Sequence, residues 1–498
     1  MMRVMAWLWA RNVVACVVGG LLAGGLNVGS HAAESAERPN VLLICVDDLK
    51  PLLGCYGDPH AKTPHIDRLA ARSVLFERAY CNQAVCAPSR NALMTGLRPQ
   101  TIGVYDLATS FRLARPDAIT LGQHFQTHGY ETASLGKIFH VGHGNTDDQA
   151  SWSVPSFRPK RPQYAIDENA PLPGIKPTKN SDRPRGRPTE SADVADDFYT
   201  DGEIASEAVR RLQAAKTSGT PFLLAVGFLK PHLPFIAPKR YWDLYDPEQL
   251  PMPELSEPPV GAPDYAPQFG GELRNYREVP KGQEPLGDEL TRELIHGYYA
   301  ATSYVDAQIG RVLDALESEG LADNTIVVLW GDHGWHLGDH GMWCKHTNYE
   351  QATRIPLLVA TPGGKGATAE ALVETVDISP TLAELAGLPA QPGLDGKSFA
   401  TVFANPAAAH RDHVIHVYPR GQRLGRAIRT ADLRLVAWQE PGRSDGEVEF
   451  ELYDYAADPL ESRNLAAERP DDVARMKDLL ATHPEPLPAY RAAEVGQR

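Results

Sequence analysis

Residues 38–49, RPNVLLICVDDL, form a short apolar run that stops at two adjacent acids, and residues 325–334, TIVVLWGDHG, repeat the design in the second half of the chain. An apolar run of this length reads as a strand buried on both faces, the kind found in parallel sheets covered by helices. FLLAVGFLK at 222–230 and IPLLVA at 355–360 read as two more parallel strands. Between them, residues 291–320 place Leu294, Tyr298, Ala301, Val305, Val312 and Leu316 at helical spacing; residues 199–215, ahead of both, give a second amphipathic helix. Strands alternating with helices predict an α/β fold whose large, mostly parallel sheet is sandwiched by helices. After about residue 390 the pattern changes. HVIHVYP, GRAIRT, LRLVAWQ and FELYDYAADPLESRNLA, then a helix near 470–482, predict a smaller C-terminal antiparallel sheet plus one helix.

Ligands of open parallel sheets sit beyond the carboxyl ends of the strands. Asp47 and Asp48 follow one such end, and Asp332 and His333 follow another. Three carboxylates are hard oxygen donors, so the cation they suit is Ca²⁺ or Mg²⁺ rather than a soft metal. Taken alone, two acids after a strand equally well cap a following helix. Zinc on His333, His336 and His340 of DHGWHLGDHG is a further reading, but three glycines in that stretch make helical ligand spacing implausible.

The 498-residue chain carries a formal charge of −14, which argues against a nucleic-acid partner and an anionic membrane surface, both of which reward a basic face. Arg3 and Arg11, then an apolar run from Val13 to Val28 and a small-residue site ending at Ala32, predict a signal peptide over 1–32. Four glycines in that run argue against a stable membrane anchor. Of the six cysteines, Cys16 lies in this leader, leaving Cys45, Cys55, Cys81, Cys86 and Cys344, an odd number, so at least one is unpaired or modified. No Asn-x-Ser/Thr acceptor occurs, which sits more easily with a bacterial exported protein, periplasmic or secreted, than with a eukaryotic one. The expected division is 1–32 signal peptide, 33–390 catalytic domain and 391–498 C-terminal subdomain. The stretches 145–198 and 246–288 lack periodicity and read as rim or surface loops.

CAPSR at 86–90 resembles the Cys-x-Pro-Ser-Arg signature of the type I, formylglycine-dependent sulfatases. AYCNQAVCAPSRNALMTGLRPQTIGVYD, LGKIFH, KPHLPF and GDHGWHLGDHGMWCKHTNYEQATRIPL resemble its iduronate-2-sulfatase branch, and the likeness runs from NVLLICVDD to the terminal ELYDYAADPLESRNLA. The resemblance implies an alkaline-phosphatase-like fold and sulfate-ester hydrolysis on a sulfated carbohydrate. It implies that Cys86 is oxidised to formylglycine by a formylglycine-generating or sulfatase-maturing enzyme. One hydroxyl of the hydrated aldehyde then attacks sulfur, and loss of the second hydroxyl's proton releases sulfate. Asp47, Asp48, Asp332 and His333 match the metal ligands, with residue 86 supplying another oxygen. His333 stands where the wider family more often has asparagine, and a nitrogen donor is atypical for Ca²⁺. Arg90, Lys137 and His140 match residues that hold the diol and its charge. His232 and Lys345 match the sulfate-binding pair, one of which protonates the leaving oxygen. Lys230 and Arg98 are either rim cations or structural, and aromatic residues at 241–245 are candidate sugar contacts. The competing readings are a phosphodiesterase or phosphonate monoester hydrolase of the same superfamily, and a non-catalytic polyanion-binding relative.

Overall fold

The computed structural model describes residues 38–174, 176, 185–442 and 447–491; the expected signal peptide lies outside the described residues. In chain order the main elements are β1 (Asn40–Val46), β2 (Val74–Phe76), α1 (Cys86–Thr95), β3 (Glu131–Gly136), α2 (Thr200–Ser218), β4 (Phe222–Phe228), α3 (Asp288–Ser318), β5 (Thr325–Gly331), β6 (Leu357–Ala360), β7 (Ala367–Ala369) and α4 (Ile378–Leu385). Then come β8 (Val414–Arg420), β9 (Arg423–Arg429), β10 (Leu433–Gln439), β11 (Glu449–Asp454) and α5 (Pro470–Ala481).

The large sheet has the order β7-β2-β6-β5-β1-β4-β3. Alternate residues of β1 feed two separate cores, because side chains along a strand point to opposite faces. Val41, Leu43 and Cys45 pack with Leu93 of α1 and Leu382 of α4, whereas Leu42, Ile44 and Val46 pack with Leu212 of α2 and Val305 and Leu316 of α3. Both faces are therefore dry, which is why the strand is apolar throughout. The helical positions read in the sequence, from Leu294 to Leu316, are all fully buried along α3.

Strands β5, β1, β4 and β3 are mutually parallel. β6, expected to join them, instead runs antiparallel to both β5 and β2. The chain returns from the end of β5 through residues 332–356 without a crossover to the opposite edge, and such a return can only run antiparallel. At the C-terminus β8 to β11 form a four-stranded antiparallel sheet in sequential order, with α5 packed on it through Val473, Met476 and Leu480. Cys45, Cys55, Cys81, Cys86 and Cys344 are all free. Among the described residues no helix is long and apolar enough to cross a membrane.

Candidate active site

Register decides where the chemistry collects. Val46 of β1 lies opposite Phe228 of β4 and Gly331 of β5, and Gly136 of β3 lies opposite Gly227 of β4. Four neighbouring strands thus end together, and the residues that follow them, Asp47 and Asp48, Asp332 and His333, Lys137, and His232, emerge along one edge. α1 points its N-terminus at the same edge and begins at Cys86. Pro88 is tolerated there because first-turn amides have no helical acceptor anyway. Arg90, one turn on, reaches back beneath the acids.

Cys86 is 2% exposed, with Sγ 3.4 Å from His333 Nε2 and 3.9 Å from Asp48 Oδ1. Ligand atoms of Asp47, Asp48, Cys86 and His232 lie within 4.8 Å of one another, as do those of Cys86, Asp332 and His333. Arg90 donates from Nη2 to Asp47 Oδ1 and from Nε to Asp332 Oδ2, each at 3.0 Å. Lys137 Nζ donates to the other Asp47 oxygen. Lys345 Nζ donates to both oxygens of Asp48 at 3.0 Å, and lies over the buried Trp335 ring. The Asp48 amide donates to Asp332 Oδ1 at 2.9 Å, while its carbonyl accepts from Tyr298 Oη of α3 at 2.8 Å. Asp48 holds a left-handed φ of 60° to turn between these partners.

The charges are unevenly settled. Burial raises the Asp47 carboxyl, but Lys137, His232 and Arg90 outweigh it and hold it well below the usual carboxylate range. Asp48 is pushed well up by burial and by the neighbouring Asp47, Asp332 and Glu272, with Lys345 opposing them. Burial and Asp47 likewise push the Cys86 thiol well above its ordinary range, the opposite of what a cysteine nucleophile requires. Burial, then Lys137, lowers His140 to about 3, which holds its imidazole neutral; Nε2 lies 3.2 Å from His143 Nδ1. His232 Nδ1 faces the Leu233 carbonyl at 2.6 Å, which leaves Nε2 directed at the acids.

Cys86, Lys137, His140, His232 and Lys345 all line one cavity of about 670 Å³, while Arg90 lies behind it. The other sequence candidates are elsewhere. Arg98 pairs with Glu374 at 2.7 Å, and Lys230 braces the His232 turn by donating to the His232 and Pro234 carbonyls. Tyr241 and Trp242 are buried in a cluster with Tyr304 of α3, not on the rim, because the short helix that carries them packs onto α3. His336 is tied to Asp339 and Thr347, so the histidines of 333–340 do not converge. Two partners were missed by sequence reasoning: Tyr298, legible only as a core position of its helix, and Glu272, in an aperiodic loop. Glu272 Oε2 lies 3.0 Å from Lys345 Nζ, and its Oε1 3.4 Å from His232 Nε2.

Residues 39–388 match the family model for sulfatases, and residues 338–483 match that for the C-terminal part of N-sulphoglucosamine sulphohydrolase. Mus musculus iduronate 2-sulfatase is 34% identical over 89% of this chain and 94% of its own length. Its Homo sapiens counterpart is 37% identical over 74% and 73%. A structure of BT4656 with its substrate D-glucosamine-2-N,6-O-disulfate superposes with a TM-score of 0.71 at 23% identity, covering 89% of this chain and 97% of that one, a likeness of fold. With a matching model over most of the chain and its signature residues gathered at one sheet edge, the chain belongs to the sulfatase family, the sulfuric ester hydrolases.

Proposed function

We propose that this sulfatase acts on a sulfated sugar, with a formylglycine made from Cys86 as reacting group and a divalent cation, Ca²⁺ ahead of Mg²⁺, held by Asp47, Asp48, Asp332, His333 and residue 86. The observation that carries the reading is the convergence of four strand ends and one helix N-terminus on Cys86. The donor set fits the cation: ligand atoms of Asp47, Asp48 and residue 86 lie within 4.8 Å of one another, as do those of residue 86, Asp332 and His333, and all of these residues are buried. When present, the hydrated formylglycine supplies a hydroxyl nucleophile and the cation supplies Lewis acidity toward it and toward a sulfate oxygen.

The chain's own residues supply the rest. Arg90 and Lys137 fix Asp47 and concentrate positive charge beside residue 86. His140, which lines the same cavity as residue 86, is assigned as the base for the second hydroxyl's proton. Lys345 and His232 grip the transferred group, and one of the two protonates the departing sugar oxygen. The fixed donors need no reorganisation as charge develops, which makes them effective. A cavity of about 670 Å³ has the size of a small-molecule site, and the names of the relatives point to sugar sulfates.

Export belongs to the same proposal, with residues 1–32 as leader, 33–390 as catalytic part and 391–498 as C-terminal subdomain. So does maturation of Cys86 by a formylglycine-generating or sulfatase-maturing enzyme. Sulfate release from a 2-O-sulfated uronate disaccharide, compared with 4-nitrophenyl sulfate and a phosphate diester, tests the reading. The sulfated sugar is expected to give the highest kcat/KM. A far higher value on the diester would move the protein to the phosphodiesterase and phosphonate hydrolase class, and no turnover with an intact Cys86 thiol would leave a polyanion-binding protein.

A further inference from the structure

Glu272 stands outside the cation-binding set, yet it touches the pair that grips the substrate. Its carboxylate lies 3.0 Å from Lys345 Nζ, 3.4 Å from His232 Nε2 and 3.6 Å from Arg185 Nη2, and it lines the same cavity as Cys86. Lys345 and His232, with Arg185, hold this carboxylate ionised against the cost of its burial. The loop that carries it is pinned. Phe269 bridges to Trp343, two residues before Lys345, and Arg274 staples the loop by donating to the Phe269 and Pro280 carbonyls at 2.7 and 2.9 Å. Gly270, at a φ of 78°, lies so close to Trp343 that an added Cβ would meet its Cβ at 2.7 Å. Glu272 and Lys345 therefore move as one unit, and a group bound by Lys345 and His232 meets a fixed negative charge at contact distance.

Sulfate and phosphate esters share tetrahedral shape and size, so packing separates them poorly. Charge separates them well. A sulfate ester carries one negative charge, as do a phosphate diester and a phosphonate monoester, whereas a phosphate monoester carries close to two at neutral pH. Whatever cation is bound, Glu272 removes one unit of positive charge from the wall facing the transferred group, and does so in a buried setting where screening is weak.

We propose that Glu272 is a specificity-determining residue, whose fixed charge beside His232 and Lys345 admits singly charged tetrahedral esters and rejects doubly charged ones. This rests on the reading that His232 and Lys345 hold the transferred group. The test measures kcat/KM of the metal-loaded, mature enzyme on 4-nitrophenyl sulfate, 4-nitrophenyl phosphate and 4-nitrophenyl phenylphosphonate, which share a leaving group. In E272Q the phosphate-to-sulfate ratio is expected to rise about 10- to 100-fold, while the phosphonate-to-sulfate ratio stays within about threefold. E272D, which keeps the charge, should keep the ratios of the unsubstituted enzyme. Equal losses on all three esters would reduce Glu272 to a brace for Lys345 and overturn the proposal, as would a phosphonate ratio that rises with the phosphate ratio. Should E272Q not fold, the unsubstituted enzyme decides: hydrolysis of the phosphate monoester as fast as the phosphonate overturns it. K345A separates the two layers. Undiminished kcat/KM on the sulfate ester would remove the underlying reading and this proposal with it, whereas a large loss there alongside unmoved ratios in E272Q would remove the role of Glu272 alone.

Discussion

At position 48 a carboxylate sits under Lys345 with Asp47 and Asp332 beside it, and the balance of these charges is what a bound cation would change. Chelation should abolish sulfate release and Ca²⁺ should restore it, with Asp47→Ala and Asp332→Ala reproducing the chelated state; full turnover by metal-free enzyme, or rescue by zinc alone, would refute the oxygen-donor site. His232→Ala and Lys345→Ala are each expected to lower kcat/KM by roughly 10²- to 10³-fold, the usual cost of one preorganised donor. For whichever of the two is the acid, the loss should be smaller on 4-nitrophenyl sulfate, whose leaving group needs no proton, and equal losses on both substrates in both variants would take the acid role from the pair. Asp47, Asp48, Asp332 and His333 were legible because each follows an apolar strand. Cys86, Arg90, Lys137, His140, His232 and Lys345 were legible through motif likeness, since a lone cation or histidine in a loop carries no signal of its own. Glu272 was illegible on both counts. It lies in a stretch without periodicity, and its placement depends on Phe269 meeting Trp343 across 74 residues of sequence.

Among the elements, α1 and the four strand ends do most to build the site, and their existence was readable from pattern. The direction of β6 was not, because an apolar strand reads the same either way along and only the absence of a crossover fixes its sense. A second element-scale feature is the start of α4. Asp377 accepts from the Lys397 amide at 2.8 Å, from Arg411 Nε at 2.8 Å and from His410 at 3.2 Å, tying the helix to the segment that leads into the C-terminal sheet. Burial raises this carboxyl, but the hydrogen bonds from Arg411 and His410 outweigh it and bring it down to about 2. A carboxylate whose folded value is depressed contributes stability above its unfolded value near 3.8, and loses it as pH falls through the folded value near 2. That difference is worth roughly 2 kcal/mol at neutral pH. Denaturant unfolding of Asp377→Asn should show a deficit of this size at pH 7 that narrows toward pH 3; a pH-independent deficit would mean the loss is one of packing.

On the scale of the whole molecule, the C-terminal sheet locks onto the returning site loop through a buried ion cluster. Arg434 of β10 is fully buried, pairing with Glu461 at 2.6 Å and with Glu350 at 2.8 Å, and Glu350 follows Lys345 by five residues. Arg434→Met strands the buried Glu461, while the half-buried Glu350 keeps Arg429 at 3.4 Å, and should cost roughly 3–5 kcal/mol in unfolding free energy; a cost below about 1 kcal/mol would show the cluster to be dispensable. The rim is where sequence reading runs out, since loops follow no period. Shortening 158–187, part of which lies outside the described residues, should raise KM for a sulfated oligosaccharide while sparing 4-nitrophenyl sulfate. Equal losses on the two would instead assign that loop to the fold. All of this chemistry turns on what occupies position 86, which is read by mass spectrometry of the peptide spanning Val85–Arg90 from fully active enzyme. The expected mass is that of the aldehyde, with Cys86→Ala folded but inactive; an unmodified thiol in enzyme at full turnover would contradict the account.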